Sequence, residues 1–338
     1  MSLKTPVAFL IFKRLDTTER VFQAIRKAKP KKLLVVADGP RTSEEEEKCQ
    51  QVRAIIEQVD WDCEVLKNYS DTNLGCKKRV SSGLNWVFSE VEEAIILEDD
   101  CLPHSSFFRY CATLLDRYRH DERVMAISGD NFQEGQKRTD YSYYFSRYHH
   151  CWGWASWRRA WKYWDDNPEK WLKFRNAGLM NLVCDDPYEC KHWTGIFNRV
   201  FLEGKPDSWA YIWTFACWSQ GGLTTLPNVN LVSNIGFGSD STHTKEGGSK
   251  FANLPTEDLG EIYHPPFVVQ HKEADLYTFD YFLGGKAKKE ADTALGKLRF
   301  HASKTKRRTI RFLTDPIGVS RSVYRKLIRK QLIINKFQ

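Results

Sequence analysis

Between residues 6 and 130 the chain alternates short apolar runs with segments of helical period, a pattern that admits few folds. Pro6 to Phe12, Lys32 to Ala37, Cys63 to Leu66, Ala94 to Leu97 and Val124 to Ser128 read as strands. They lack the polar alternation of a strand with one wet face, so they are expected to be buried on both faces. Helical segments lie between them. Asp16 begins the first, with Glu19 as its acidic capping-box partner and Val21, Phe22, Ile25 and Ala28 facing in. Four Glu open the second, at the positive end of its dipole, and Val52, Ile55, Ile56 and Val59 line its inner face. A third follows Gly75, with Val80, Leu84, Val87 and Val91 at helical spacing, and a fourth follows Pro103. Together these predict an α/β fold: a mostly parallel central sheet with helices on both faces.

The middle, from about 140 to 235, has weak periodicity and is rich in Trp, Tyr and Asp. With 12 Trp in the chain, a cleft that stacks on flat ligands and a set of large core residues are both open readings. Residues 236–260 turn to the Gly, Ser and Thr of a loop. The nine Cys contain no CxxC pair, which argues against a disulfide framework or structural zinc and for a reducing compartment. The opening MSLKTPVAFLIFKRLD has too short an apolar run for a secretory signal. A cytoplasmic protein is expected, peripheral at the inner membrane face if its tail docks there. The net charge of +8 resides at the C-terminal end, where residues 301–338 carry eleven Lys or Arg against Asp315 alone. The body is therefore no nucleic-acid binder by charge. There is no GxxxxGK[ST], no GxGxxG after the first strand and no HExxH, which disfavours a P-loop kinase, a dinucleotide enzyme and a zincin.

In open parallel sheets ligands bind beyond the carboxyl ends of the strands. Two acidic sites fall there: Asp38 after the second strand and Glu98-Asp99-Asp100 after the fourth. An apolar strand ending in successive acids is costly unless something pairs them. A hard divalent cation, Mg2+ or Mn2+, holding a diphosphate would do so. The plainer alternative is a solvated acidic turn.

The segment ILEDDCLPHSSFF resembles the metal-binding segment of GT-A glycosyltransferases, especially the N-acetylglucosaminyltransferase I type. NLGCKKRVSSGLNWVFSEVEEAIILEDD, upstream of it, is similar to the GT-A pattern in which an Asn-x-Gly turn and a basic helix start lead to the acidic strand end. The resemblance covers residues 5 to 135 well, weakens towards 245 and does not reach the tail. It implies a GT-A fold and a nucleotide-sugar donor, with Asp100 ligating the metal. Glu98 and Asp99 would contact ribose, sugar or metal-bound water, and Asp38 the nucleobase, usually uracil. Lys78 and Arg79 would face the donor, unless they are a solvated helix start. Gly153 and Trp154, in HHCWGWASW, would shape the sugar pocket. The adjacent His149 and His150 would point opposite ways on a strand, so one metal would seldom take both. His243, in GSDSTHT, is a candidate second metal or phosphate ligand, or simply an exposed loop residue.

An inverting transferase also needs a carboxylate to take the acceptor proton. Asp207, ahead of Trp209, Tyr211 and Trp213 as possible acceptor walls, is the first choice; a helix N-cap is its structural alternative. Asp165 and Asp186 compete with it. On this reading residues 1–135 form the nucleotide-sugar-binding half of one GT-A domain and 136–260 its acceptor-binding half. Residues 261–338 form a C-terminal extension ending in a basic amphipathic helix. The expected activity is metal-dependent transfer from a nucleotide-diphosphate sugar to a glycan or glycolipid acceptor. The rivals are a sugar-phosphate nucleotidyltransferase, although FKRLDTTE replaces the Gly-rich signature such enzymes carry after the first strand, and a non-catalytic carbohydrate-binding protein, which would not hydrolyse a donor in the presence of manganese.

In the tail, Val319, Val323, Leu327 and Ile334 fall near one helical face and the basic residues largely elsewhere, as in an element that docks on an anionic membrane surface. Cutting the chain before residue 301 is expected to leave donor binding unchanged and to abolish most cosedimentation with anionic vesicles. A tail packed on the body would instead cost the truncated protein several degrees of melting temperature and leave the intact one indifferent to vesicles.

Overall fold

The computed structural model describes residues 2–237 and 251–293. His243 and the basic tail therefore lie outside the described residues. The chain divides into a unit of residues 1–282 and a second of residues 283–338.

The five apolar runs are all strands. Val7–Ile11 is β1, followed by helix α1 (Leu15–Ala28), β2 (Lys32–Ala37), α2 (Ser43–Ile55), β3 (Glu64–Tyr69), α3 (Cys76–Glu90) and β4 (Glu93–Glu98). Then come a short strand β5 (Cys101–Pro103), α4 (Ser105–Arg117) and β6 (Val124–Ser128). The aromatic middle contributes β7 (Tyr143–Ser146), β8 (Trp154–Trp157), helices α5 (Arg158–Trp161), α6 (Pro168–Asn176), α7 (Met180–Val183), α8 (Pro187–Leu202) and α9 (Ala210–Ser219), and strands β9 (Leu223–Pro227) and β10 (Val232–Asn234). Helix α10 (Lys272–Tyr277) closes the first unit, and α11 (Gly285–Asp292) belongs to the second.

The main sheet has eight strands in the order β3-β2-β1-β4-β8-β6-β9-β7. From β3 to β4 all pairs are parallel. Strand β8 is antiparallel to both β4 and β6, and β6 is parallel to β9. The α/β class expected from the sequence is thus the class observed. Strands β8, β9 and β7, from the 136–260 stretch, are hydrogen-bonded into the same sheet as residues 1–135. Residues 261–282, grouped by sequence with the C-terminal extension, belong to the first unit: His271 N donates to Phe145 O on β7.

The strands lack alternation because both faces are covered. Val7, Phe9, Ile11, Leu33, Val35, Ala37, Ile95 and Leu97 join one cluster with Val21, Phe22 and Ile25 of α1, Val52 and Ile55 of α2, and Phe107, Cys111 and Leu114 of α4. The intervening residues face the other way. There α3 lies so close that a Cβ on Gly83 would stand 2.4 Å from Val36 Cγ1. Helix α1 starts one residue before Asp16 and has no capping box; its first turn is closed by Thr18 Oγ1 and N donating to Arg14 O.

The middle hid its helices because they bury aromatic residues rather than one apolar stripe. Eight of the 12 Trp are buried: 154, 157, 161, 171, 193, 209, 213 and 218. Trp154 stacks on Trp209 at 5.4 Å, and Trp161 and Trp213 lie 5.1 Å apart. All nine Cys are free thiols. No helix among the described residues is long and apolar enough to cross a membrane.

A buried ionic network ties β7 to α8. Arg147 Nη2 contacts Glu189 Oε1 and Oε2 at 2.7 and 2.8 Å, and Tyr148 donates to Glu189 Oε1. Glu189 is 3% exposed, so it has no water to fall back on. Glu189→Ala would strand the Arg147 charge and should cost about 3–5 kcal/mol of unfolding free energy in urea titration. Glu189→Gln, which keeps hydrogen-bonding atoms in place, should lose less. A loss below about 1 kcal/mol for Glu189→Ala would mean that water reaches the pair.

Candidate active site

The carboxyl ends of β1, β2 and β4 point to one edge of the sheet, and so does the amino end of antiparallel β8, where Ile96 pairs with Trp154. The apolar ladder of β4 carries the chain into Glu98-Asp99-Asp100 without a bend to solvent. After the triplet, β5 pairs antiparallel with β10, Asn234 opposite Cys101, and this ribbon draws residues 235–236 back over the acids. Ile235 N donates to Asp100 O at 2.8 Å.

Each acid of the triplet has a different partner. Asp99 Oδ2 accepts from Phe12 N at 3.1 Å. Asp100 Oδ2 is 2.5 Å from Arg14 Nη1, which is also 3.8 Å from Asp99 Oδ1. The Trp209 side chain favours the charged form of Glu98. Burial pushes the Glu98 carboxyl up, and the charges of Asp100 and Asp99 push it further, against Arg14 and Trp209. Asp99 is raised by burial and by Asp100, against Arg14 and Phe12 N. For Arg14, burial works against the charge, but Asp99 and Asp100 outweigh it. One guanidinium thus faces three carboxyls.

Asp207 comes to this edge from far along the chain. Its Oδ2 would lie 3.0 Å from a Cβ on Gly75, whose φ of +80° and side-chain-free surface admit both the turn and the carboxylate. Cys76 marks the meeting point: burial raises its thiol, and so do Glu98, Asp207, Asp100 and Asp38. Asp207 is exposed, and among the described residues no hydrogen-bond donor holds its carboxylate. It does not cap a helix; the residue before α9 is Trp209. Both competitors are engaged. Asp165 pairs with Lys170 at 2.7 Å and accepts from Asn167 N, and Asp186 caps α8 through Tyr188 N and Glu189 N.

Several residues expected at the donor do something else. The four hydrogen bonds to Asp38 come from Gly39 N and Leu74 N on Oδ1, and from Asn73 Nδ2 and Gly75 N on Oδ2. A carboxylate has about four lone-pair directions, so none is left to read a nucleobase. Asp38 instead folds the Asn73-Leu74-Gly75 turn. Arg79 turns inward: its Nε donates to Ala37 O at 3.1 Å and its Nη2 to Asn68 O and Oδ1, joining the ends of β2 and β3. Lys78 stays exposed at the start of α3. Trp154 is fully buried beneath the site, and Trp209 and Trp213 are core residues rather than acceptor walls, while Tyr211 is half-buried. His149 and His150 are buried, and burial holds both imidazoles well below the usual range, so they are neutral.

Two residues at this edge escaped sequence reading. Arg14 sits beyond β1 and Asp130 beyond β6, each past the carboxyl end of a strand, which was the available signal. Asp130 is 1% exposed; its Oδ2 accepts from Trp152 N at 3.0 Å, and its Oδ1 has no partner among the described residues.

A hard divalent cation fits the chemistry of this corner. Such ions commonly take one or two carboxylates and complete their shell with phosphate and water. Asp100 is partly exposed and carries surplus negative charge nearby. Its Oδ2 is held by Arg14. Among the described residues no group of three or more His, Cys, Asp or Glu forms a closed cage.

No protein-family model and no curated protein matches this chain. Among solved structures, a UDP-glucose pyrophosphorylase complexed with UDP-glucose aligns at 12% identity and a TM-score of 0.25, over 42% of this chain and 62% of that one. A 4-diphosphocytidyl-2C-methyl-D-erythritol synthase from Anaerococcus prevotii aligns at 13% identity and a TM-score of 0.30, over 50% and 77%. Mouse xyloside xylosyltransferase 1, in its apo form, aligns at 9% identity and a TM-score of 0.29, over 63% and 81%. None of these three is of the N-acetylglucosaminyltransferase I type.

The raised Glu98 carboxyl has a sign that can be tested. A carboxyl raised in the folded state adds stability below its unfolded value and loses it as pH climbs towards the folded value. Glu98→Gln removes that loss. Its melting temperature relative to wild type should therefore rise as pH goes from about 5 to about 8 without added cation. A difference that stays constant with pH would show that Glu98 ionises freely.

Proposed function

We propose that this chain is a glycosyltransferase that moves a sugar from a nucleotide-diphosphate donor, a UDP-sugar, to a glycan or glycolipid acceptor. The observation that carries this reading is the meeting of the β4 acids with the Asp207 carboxylate, which has no partner among the described residues, beside Gly75 at the carboxyl edge of the sheet. One kind of carboxylate there is crowded and short of positive charge. The other is open and uncommitted. A reaction that expels a diphosphate and deprotonates a hydroxyl needs both.

In this reading Asp100 holds Mn2+ or Mg2+, with His243 a further candidate ligand outside the described residues. The cation supplies charge neutralisation to the departing diphosphate. Asp207 accepts the proton of the acceptor hydroxyl as its oxygen attacks the anomeric carbon. The new C–O bond forms as the bond to the phosphate oxygen breaks, and the diphosphate leaves with the electron pair. Attack from the face opposite the leaving group inverts the anomeric centre. Asp130 Oδ1, buried and without a partner among the described residues, is suited to accept from a donor hydroxyl. Trp209 favours the charged form of Glu98, and Asp38 holds the turn on which Gly75 meets Asp207.

Asp100→Asn should abolish the manganese dependence of UDP-sugar binding in calorimetry while leaving the melting curve in place. Asp207→Asn should keep donor affinity and lower turnover at least about a hundredfold. If Asp207→Asn stays active, another group is the base. If the protein neither transfers nor hydrolyses any nucleotide sugar yet binds glycans, the site is a binding module instead.

A further inference from the structure

Among the described residues Arg14 is the cation that pairs with the acidic triplet, and its setting is specific. It projects from the β1–α1 turn onto Asp100 Oδ2 at 2.5 Å and lies 3.8 Å from Asp99 Oδ1. The same turn places Phe12 N on Asp99, so two consecutive acids are served by one short loop. Gly236 passes directly over the pair. A Cβ there would stand 2.1 Å from Asp100 Oδ2 and 2.6 Å from Arg14 Nη1, so no larger residue could roof the contact. The side chains of Arg14 and Asp100 are 19% and 17% exposed, enough for a phosphate to reach them from one side.

We propose that Arg14 is a resident counter-cation that withholds Asp100 from a free divalent ion and yields it when a nucleoside diphosphate arrives. The inference rests on the donor reading above and extends it to the order of binding. A metal ion arriving alone meets a carboxylate whose charge Arg14 already offsets at Oδ2, with only the Cys101 thiol, at 3.4 Å, on Oδ1. A diphosphate brings oxygens that a planar guanidinium matches in its fork geometry, so Arg14 exchanges one anion for another and Asp100 is released to the cation. The triplet thereby keeps a positive partner at every stage. By linkage, the nucleotide must raise metal affinity by the factor by which the metal raises nucleotide affinity.

The test measures Mn2+ binding to the full chain, by the loss of the free-ion paramagnetic resonance signal, with and without UDP. Arg14→Gln removes the competitor and should bind Mn2+ alone more tightly than wild type, on the order of tenfold. The enhancement by UDP should shrink in the same variant. Arg14→Lys keeps a cation without the fork and should show a smaller gain of the same sign; it decides the matter should Arg14→Gln prove unfolded in its melting curve. Mn2+ affinity that is unchanged or weaker without UDP in these variants overturns the proposal while leaving the donor reading standing. Wild-type protein that takes up no Mn2+ even with UDP present removes the donor reading and this inference together.

Discussion

Like charges packed at the end of a buried strand are the constraint around which this site is organised. Strand β4 lies between β1 and β8 with no freedom to tilt outward, and β5 is pinned by β10, so the triplet cannot retreat into solvent. Two carboxylates about 5 Å apart repel by roughly 3 kcal/mol at an effective dielectric of 20. The surroundings answer with one measure per acid: a backbone amide on Asp99, the Trp209 side chain on Glu98, a guanidinium on Asp100. These lessen the repulsion without cancelling it. In the proposed reading neither a bare cation, which meets Arg14, nor a bare polyphosphate, which meets the acids, is favoured alone, so cation and diphosphate have reason to bind as a pair.

Asp38 and Asp207 show how hydrogen bonding divides labour among carboxylates at one edge. Asp38 gathers four donors, three of them from the 73–75 turn, and becomes part of the scaffold. Asp207 faces the same turn from the other side and receives none from the described residues. A base must have an accessible lone pair that no fixed donor already holds. By that criterion the two residues could not exchange roles, although both are aspartates at the mouth of the same sheet.

The strands were legible because burial on both faces leaves an unbroken apolar run, and the acidic triplet was legible because it ends one of them. What escaped the sequence was decided by distant contacts. Arg14 meets Asp100 across the β1–α1 turn, a pairing that no local spacing announces. Arg79 looks like any basic residue in a first helical turn. Its inward course depends on free acceptors at Ala37 and Asn68, on two other strands. The start of α1 was misplaced by one residue because the helix begins behind Arg14, whose side chain makes no cap. The aromatic middle lacked period because α9, AYIWTFACWS, is buried nearly all round, and such a helix has no polar face to mark its turns.

That aromatic layer also explains how the proposed base, on a connecting loop, can be held accurately. Asp207 lies two residues before Trp209, which is 2% exposed. Trp209 stacks on Trp154, accepts Trp164 Nε1 at its carbonyl oxygen and favours the charged form of Glu98. Trp154 in turn sits on β8, paired with Ile96 two residues before Glu98. The loop carboxylate and the acidic strand end are therefore fastened to the same rigid stack from two directions. Their separation is set by ring contacts in the core rather than by the loop itself. A site that, in the proposed reading, holds an attacking hydroxyl and a leaving phosphate in line would gain most from that kind of support, because small errors in alignment cost large factors in rate.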